Sequence, residues 1–190
     1  VPDIAGDTTG SYTGVYVNRF LQSKYIPGSI FKIVTLAAAL ESIPEAEKLT
    51  FRCSGSYKIG MDVVKCESVH GKQSLKQAFC NSCNCAFAEL TLQIGAEKME
   101  HYVDLFGINN SITFDGITTA AGNFDIHDAA PVSVAWSSIG QYTDLINPCA
   151  YMTFMGAIAG GGVAAEPSLV QTVTAGNTAT VTLRAENFEN

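Results

Sequence analysis

Tyr25-Ile-Pro-Gly-Ser29-Ile-Phe-Lys32-Ile-Val34 is the stretch from which the rest of the chain can be read. Pro27 and Gly28 break whatever precedes them, and Ser29 is of a type that opens helices. An apolar run follows from Ile33 to Leu40, with three consecutive alanines, and closes on Glu41-Ser-Ile-Pro44. Pro44 forbids continuation, so the pattern predicts a helix from Ser29 to Ile43. That helix is apolar nearly all round, which predicts burial on several sides. Residues three apart share a helix face, so the Ser29 hydroxyl and the Lys32 amine can meet at its first turn.

That placement suits nucleophilic catalysis. A serine hydroxyl is a weak nucleophile until a base takes its proton. A lysine serves as that base only when neutral, and burial in an apolar pocket favours the neutral form. Phe31, Ile33 and the alanines can supply such a pocket, and the helix N-terminus favours a developing oxyanion. S-x-x-K also arises as a cap serine beside a solvated lysine, so the motif needs support from elsewhere in the chain.

The 190 residues are enough for one domain, and the 47% hydrophobic content is enough for a core. A net charge of −7 with no basic cluster argues against nucleic acid as a partner. No uninterrupted apolar run is long enough to span a bilayer, and the longest candidate, Phe154 to Ala165, is broken by glycine. Val1-Pro-Asp-Ile-Ala-Gly6 lacks the charged and apolar regions of a signal peptide. It reads as the start of a cut or processed piece, which leaves the compartment open.

The six cysteines are Cys53, Cys66, Cys80, Cys83, Cys85 and Cys149. Cys80-x-x-Cys83-x-Cys85 resembles half a zinc motif, but no matching Cys or His pair follows, and His70 and His101 stand isolated. The sequence therefore predicts no metal site, with these three cysteines as small buried residues of a helix. Cys53 and Cys66 flank a predicted hairpin, and a bridge between them stays open.

In chain order, Tyr12, Val15, Tyr16 and Val17 predict a short strand, and Asn18-Arg19 leads to the break at Pro27. Phe51 to Cys66 reads as short strands with turns at Ser54-Gly55 and Ile59-Gly60, and His70-Gly71 as a turn. Helical patterns cover Ser74 to Phe79, Cys85 to Ile94 and Glu97 to Phe106, with Gly95 and Gly107 ending the last two. Residues 109–127 and 137–147 read as loop, and Pro148 opens a helix to Ala159. Val163 to Val173, interrupted by Pro167, and Thr178 to Leu183 read as strands. There is no internal repeat.

Asn81-Ser82-Cys83-Asn84 falls at the break between two of these helices. A hydroxyl and an amide two residues apart can relay a proton and bind a peptide carbonyl. An ordinary turn or cap uses the same residue types. The two motifs together decide the matter. S-x-x-K followed by S-x-N resembles two of the three motifs of penicillin-binding transpeptidases and serine β-lactamases. Asn18-Arg19, Tyr25-x-Pro27-Gly28-Ser29-x-Phe31-Lys32, Cys53-x-Gly55, Cys66, His70-Gly71, Ser138-Ile139-Gly140-Gln141 and Ala157-Ile158-Ala159-Gly160-Gly161-Gly162 before Pro167 extend the likeness. In that order they resemble the transpeptidase domain of class B penicillin-binding proteins.

The resemblance implies an α+β fold, a helical lobe (74–106) packed on an antiparallel sheet whose C-terminal strands are incomplete. The whole of 1–190 is then a partial transpeptidase domain, with residues 29–43 as its nucleophile helix. It implies Ser29 as nucleophile, Lys32 as base, Ser82 as proton relay to the leaving amine, and Asn84 as holder of the substrate amide. It implies no metal and no cofactor. Partners would be D-Ala-D-Ala stem peptides of peptidoglycan, β-lactams and the cell-wall synthesis machinery, outside a membrane to which the parent protein is anchored. A β-lactam sensor and a serine β-lactamase are the alternatives, although no E-x-x-L-N pattern is present for the latter. One departure stands out: the family's K-T-G motif is missing, and no lysine follows Lys98. The expectation is truncation or an unrecorded segment rather than loss.

Overall fold

The computed structural model describes residues 17–174 and 180–183, with 6, 8–10 and 14 before them. The strand expected around Tyr12 to Tyr16 lies outside the described residues. The first helix, α1 (Arg19–Gln22), is a single turn capped by Asn18, whose side chain accepts from the N–H groups of Phe20 and Leu21.

The predicted nucleophile helix is two pieces. A 3-10 turn (Gly28–Phe31) carries Ser29, and the α-helix proper, α2 (Lys32–Ser42), starts at the lysine. Gly28 adopts φ +58°, a left-handed conformation open to glycine, and this tightens the entry. Val34, Ala38 and Ala39 are fully buried on α2, Ile33, Leu36 and Ala37 are partly buried, and Leu40 and Glu41 at its C-terminal end are exposed. Alanine on the contact face lets α4 (Asn84–Ile94) and α5 (Ala96–Leu105) pack closely against it. The main core therefore gathers around α2 and α4, with Phe31 stacked on Phe124 at a centroid distance of 5.3 Å.

Between α2 and α4 the chain builds two antiparallel ladders. Strand β1 (Thr50–Cys53) pairs with β4 (Gly71–Ser74), and β2 (Ser56–Ile59) with β3 (Asp62–Lys65). The β2–β3 hairpin turns at Gly60, as its sequence predicts. By contrast, β4 replaces an expected turn and approach to a helix. Its Gly-Lys-Gln-Ser has no apolar alternation to betray it, and Gln73 is the residue it turns inward. Ser74 then caps α3 (Leu75–Cys80) through a reciprocal capping box with Gln77.

Past α5, a two-residue hairpin of β5 (Thr113–Phe114) and β6 (Ile117–Thr118) interrupts the expected loop at Asp115-Gly116. Helix α6 (Pro131–Ser137) was not anticipated, and α7 (Pro148–Ala159) has its predicted limits. Both start with proline at the first helical positions, where a missing N–H costs nothing. Asn147 ties α7 to the start of the chain: its carbonyl accepts from Cys149 and Ala150, while its amide donates to Leu21 and Ser23 carbonyls. Residues 163–168 are irregular rather than strand, and β7 (Val170–Thr174) pairs antiparallel with β8 (Thr180–Leu183). Helices and short antiparallel ladders make the fold α+β, as expected. Among the described residues no helix is long and apolar enough to cross a membrane.

Candidate active site

Lys32 is the centre of the site. It is 1% exposed, yet no carboxylate pairs with it among the described residues. Its Nζ instead faces a ring of oxygens: Ser29 Oγ at 3.2 Å, Ser82 Oγ and the Ser82 carbonyl at 2.9 Å each, and Asn84 Oδ1 at 2.7 Å. The structure thus brings together all four predicted residues, Ser29, Lys32, Ser82 and Asn84. Desolvation lowers the Lys32 pKa from its ordinary 10.5, and ionisation of the neighbouring Cys66, Cys83 and Glu67 would oppose that only in part. The Phe87 ring, 5.9 Å from Nζ, forms the apolar wall. A buried lysine with oxygen neighbours and a lowered pKa can exchange a proton with a hydroxyl in contact.

Each side chain is positioned by local structure. In a 3-10 turn residues i and i+3 eclipse, so Ser29 sits over Lys32 more closely than an α-helix would allow. Ser29 is exposed while Lys32 is buried, so the hydroxyl can meet a substrate that the amine cannot. The turn is held from behind. The Gly28 N–H donates to the Gly140 carbonyl at 3.0 Å, and the Tyr151 hydroxyl donates to the Ile30 carbonyl at 2.8 Å. Thr35 donates to the Ser138 carbonyl at 2.9 Å one helical turn further on. A side chain on Gly140 would come within 2.7 Å of the Gly28 nitrogen, so the contact admits only glycine. The sequence likeness marked the 138–141 segment. Tyr151 was missed, because a tyrosine inside an apolar helix carries no signal of the carbonyl it will meet.

Ser82 lies in the turn between α3 and α4 with φ +49°, a left-handed conformation that costs a serine about 1–2 kcal/mol. It is exposed, and that turn aims both its hydroxyl and its carbonyl at Lys32. Cys83 is extended, and Asn84 starts α4. The Asn84 amide donates to the Lys65 carbonyl at 3.1 Å, which leaves its oxygen for Lys32.

The cysteines depart from expectation. Cys80 is exposed, not a buried helix residue, and all six sulfurs are free. His70 is not isolated: its Nδ1 lies 3.6 Å from Cys66 Sγ. Cys53 and Cys66 meet, but as part of a group with His70 and Cys83, not as a pair. The sequence could not show this because the four come from separate strands and turns.

Comparison with known proteins shows what the chain as a whole resembles. Peptidoglycan D,D-transpeptidase PbpA of Mycobacterium tuberculosis (strain H37Rv) is 31% identical over 162 residues, covering 80% of this chain and 32% of that protein. Stage V sporulation protein D of Bacillus subtilis (strain 168) is 31% identical over 153 residues, covering 78% of this chain and 24% of that one. The chain spans about a third or less of the length of these curated relatives. Among solved structures, penicillin-binding protein A from M. tuberculosis, as a penicillin G acyl-enzyme complex, aligns with a TM-score of 0.71 at 26% identity, over 79% of this chain and 36% of that one. The D,D-transpeptidase domain of a peptidoglycan glycosyltransferase from Eggerthella lenta gives 0.72 at 30% identity, over 80% and 40%. Residues 4–190 match the family described as the penicillin binding protein transpeptidase domain, and with nearly its whole length so matched, the chain belongs to that family.

Proposed function

We propose that this chain carries the acylation centre of a peptidoglycan D,D-transpeptidase, which cross-links stem peptides through a serine ester and is acylated by β-lactams. The observation that carries the reading is the Lys32 amine, buried without an ion-pair partner among the described residues and within 3.2 Å of two serine hydroxyls.

In this reading neutral Lys32 takes the Ser29 proton as Oγ attacks the penultimate D-Ala carbonyl. The Ser29 N–H, at the start of the 3-10 turn where backbone donors lack intrahelical partners, faces the developing oxyanion. Ser82 passes its proton to the departing amine of D-Ala and is reprotonated from Lys32, so the carbon–nitrogen bond breaks with the proton count balanced. Asn84 holds the substrate amide as well as Lys32. An amine of a second stem peptide then attacks the ester, and the same groups return the proton to Ser29. The whole cycle would run outside the cytoplasmic membrane, where peptidoglycan is assembled.

The test is adduct mapping. The chain is incubated with a fluorescent penicillin, digested, and the labelled peptide identified by mass. The label is expected on the peptide containing Ser29 and absent in Ser29→Ala. Undiminished labelling of Ser29→Ala would end this assignment.

A further inference from the structure

Beside the acylation centre, four potential ligand atoms converge: the Sγ atoms of Cys53, Cys66 and Cys83 and a ring nitrogen of His70, all within 4.8 Å of one another. We propose that this quartet is a structural zinc site that fixes the Ser82–Asn84 turn against the two β-ladders.

The geometry is that of a metal polyhedron. With Zn–S of about 2.3 Å and Zn–N of about 2.05 Å, an ideal tetrahedron puts sulfurs about 3.8 Å apart and sulfur and nitrogen about 3.6 Å apart. Cys66 Sγ lies 3.8 Å from Cys83 Sγ and 3.6 Å from His70 Nδ1. Three thiols and an imidazole form a soft donor set that suits zinc over magnesium or calcium, and four protein ligands close the coordination sphere. Binding replaces three thiol protons with one Zn²⁺ and releases them to solvent, with no change of oxidation state. Outer contacts are in place as well: the Gly55 N–H donates to Cys53 Sγ at 3.5 Å. Burial favours the site too, since Cys53 and Cys83 are at most 1% exposed.

The ligands also say what the metal would do. Cys53 ends β1, Cys66 follows β3, His70 precedes β4, and Cys83 is the residue between Ser82 and Asn84. Two side-chain hydrogen bonds already tie the ladders to this turn, from Asn84 to the Lys65 carbonyl at 3.1 Å and from Asn81 to the Gln73 side-chain oxygen at 3.0 Å. A metal here joins both ladders to the start of α4 and holds Ser82 in its left-handed conformation. Lys32 Nζ hydrogen-bonds Ser29, Ser82 and Asn84 and no member of the quartet, so the metal would position the turn and bear on the amine only through space.

The inference is independent of the transpeptidase reading, because metal content is read directly. The chain is purified under reducing conditions with zinc, freed of unbound metal by gel filtration, and assayed by mass spectrometry of the elements. About one zinc per chain is expected from four closed ligands. Cobalt in its place should give visible tetrahedral bands and a thiolate charge-transfer band. His70 is half-buried, so His70→Asn should fold, and it should lower zinc affinity at least about a hundredfold, the upper range for losing even an outer-shell partner. Cys80→Ser, at an exposed cysteine outside the quartet, should leave binding unchanged. Chelation should lower the melting temperature of the chain and leave that of His70→Asn unmoved. A chain that retains no zinc overturns the proposal. So does full retention in His70→Asn, or native protein isolated with Cys66 and Cys83 joined as a disulfide.

Discussion

A buried amine with no ion-pair partner is costly to keep charged, and among the described residues Lys32 has none. Its oxygen ring can accept from an ammonium or share protons with a neutral amine, which is what a base needs. Lys32→Met keeps the length and removes the nitrogen. The variant is expected to fold and to lose penicillin acylation by about 10²- to 10⁴-fold, the usual share of a general base. Circular dichroism and stopped-flow acylation check the two halves, and near-normal acylation would place the base elsewhere. A second residue makes a pH-dependent claim. Asp144 is 1% exposed and neither carboxylate oxygen makes a well-formed hydrogen bond. Burial pushes its pKa from 3.8 up to about 7, against a weak downward pull from the Tyr142 backbone N–H. Between these values the unfolded chain has lost the proton and the folded chain keeps it, so folding stability falls as pH rises from 4 to 7 and then levels. The rise corresponds to at most about 4 kcal/mol. Urea melts of Asp144→Asn against the parent should show a gain that is absent near pH 4 and full near pH 8, and a gain independent of pH would contradict the assignment.

At the scale of elements, the site depends on how tightly the 3-10 turn is pressed against the 138–141 segment. Gly140 has φ +71° and its hydrogen faces the Gly28 backbone, so Gly140→Ala must displace the turn that carries Ser29. Gly60, with φ +60° and open space around it, has the backbone strain without the collision. Gly60→Ala is expected to cost about 1–2 kcal/mol of stability and nothing in acylation rate. Gly140→Ala is expected to cost more stability and to slow acylation about 100-fold, as a displacement near 1 Å at the nucleophile does. Equal acylation rates in the two variants would show that the packing does not position Ser29. The same elements show what a sequence reveals. Helices framed by Pro and Gly, such as α7, were legible to the residue, because those punctuation marks act locally. So were Ser29, Lys32, Ser82 and Asn84 as two motifs, although not the left-handed Ser82 that joins them. Strand β4 was not legible, since its inward residue is a glutamine and its pairing with β1 is decided by a partner about twenty residues away. The cysteine–histidine quartet, spaced C-x12-C-x3-H-x12-C, was hidden for the same reason: its spacing is set by two hairpins and not by one local motif.

For the whole molecule, the question is how complete a catalytic surface these 190 residues present. Ser29, Lys32 and the S-x-N turn come from two helix starts, and both are fixed by the main core. The family resemblance adds a K-T-G strand that binds the substrate carboxylate, with a neighbour that supplies the second oxyanion donor. No Lys-Thr-Gly occurs in this sequence. The buried lysine and its serine contacts do not depend on such a strand, so the chain should still be acylated at Ser29. Without a second donor the tetrahedral intermediate loses stabilisation worth about 10²- to 10³-fold in rate. The second-order rate constant for penicillin acylation of this chain is therefore expected to be at least about a hundredfold below that of a family member carrying K-T-G, measured side by side. The acyl-enzyme, once formed, is expected to be long-lived, because the sequence has no E-x-x-L-N glutamate to activate a deacylating water. A nitrocefin assay separates the outcomes. A slow single burst fits a one-donor site. A burst as fast as that of the K-T-G enzyme would mean that another group in this chain supplies the missing donor. Sustained turnover at many per second would place the chain with the β-lactamases.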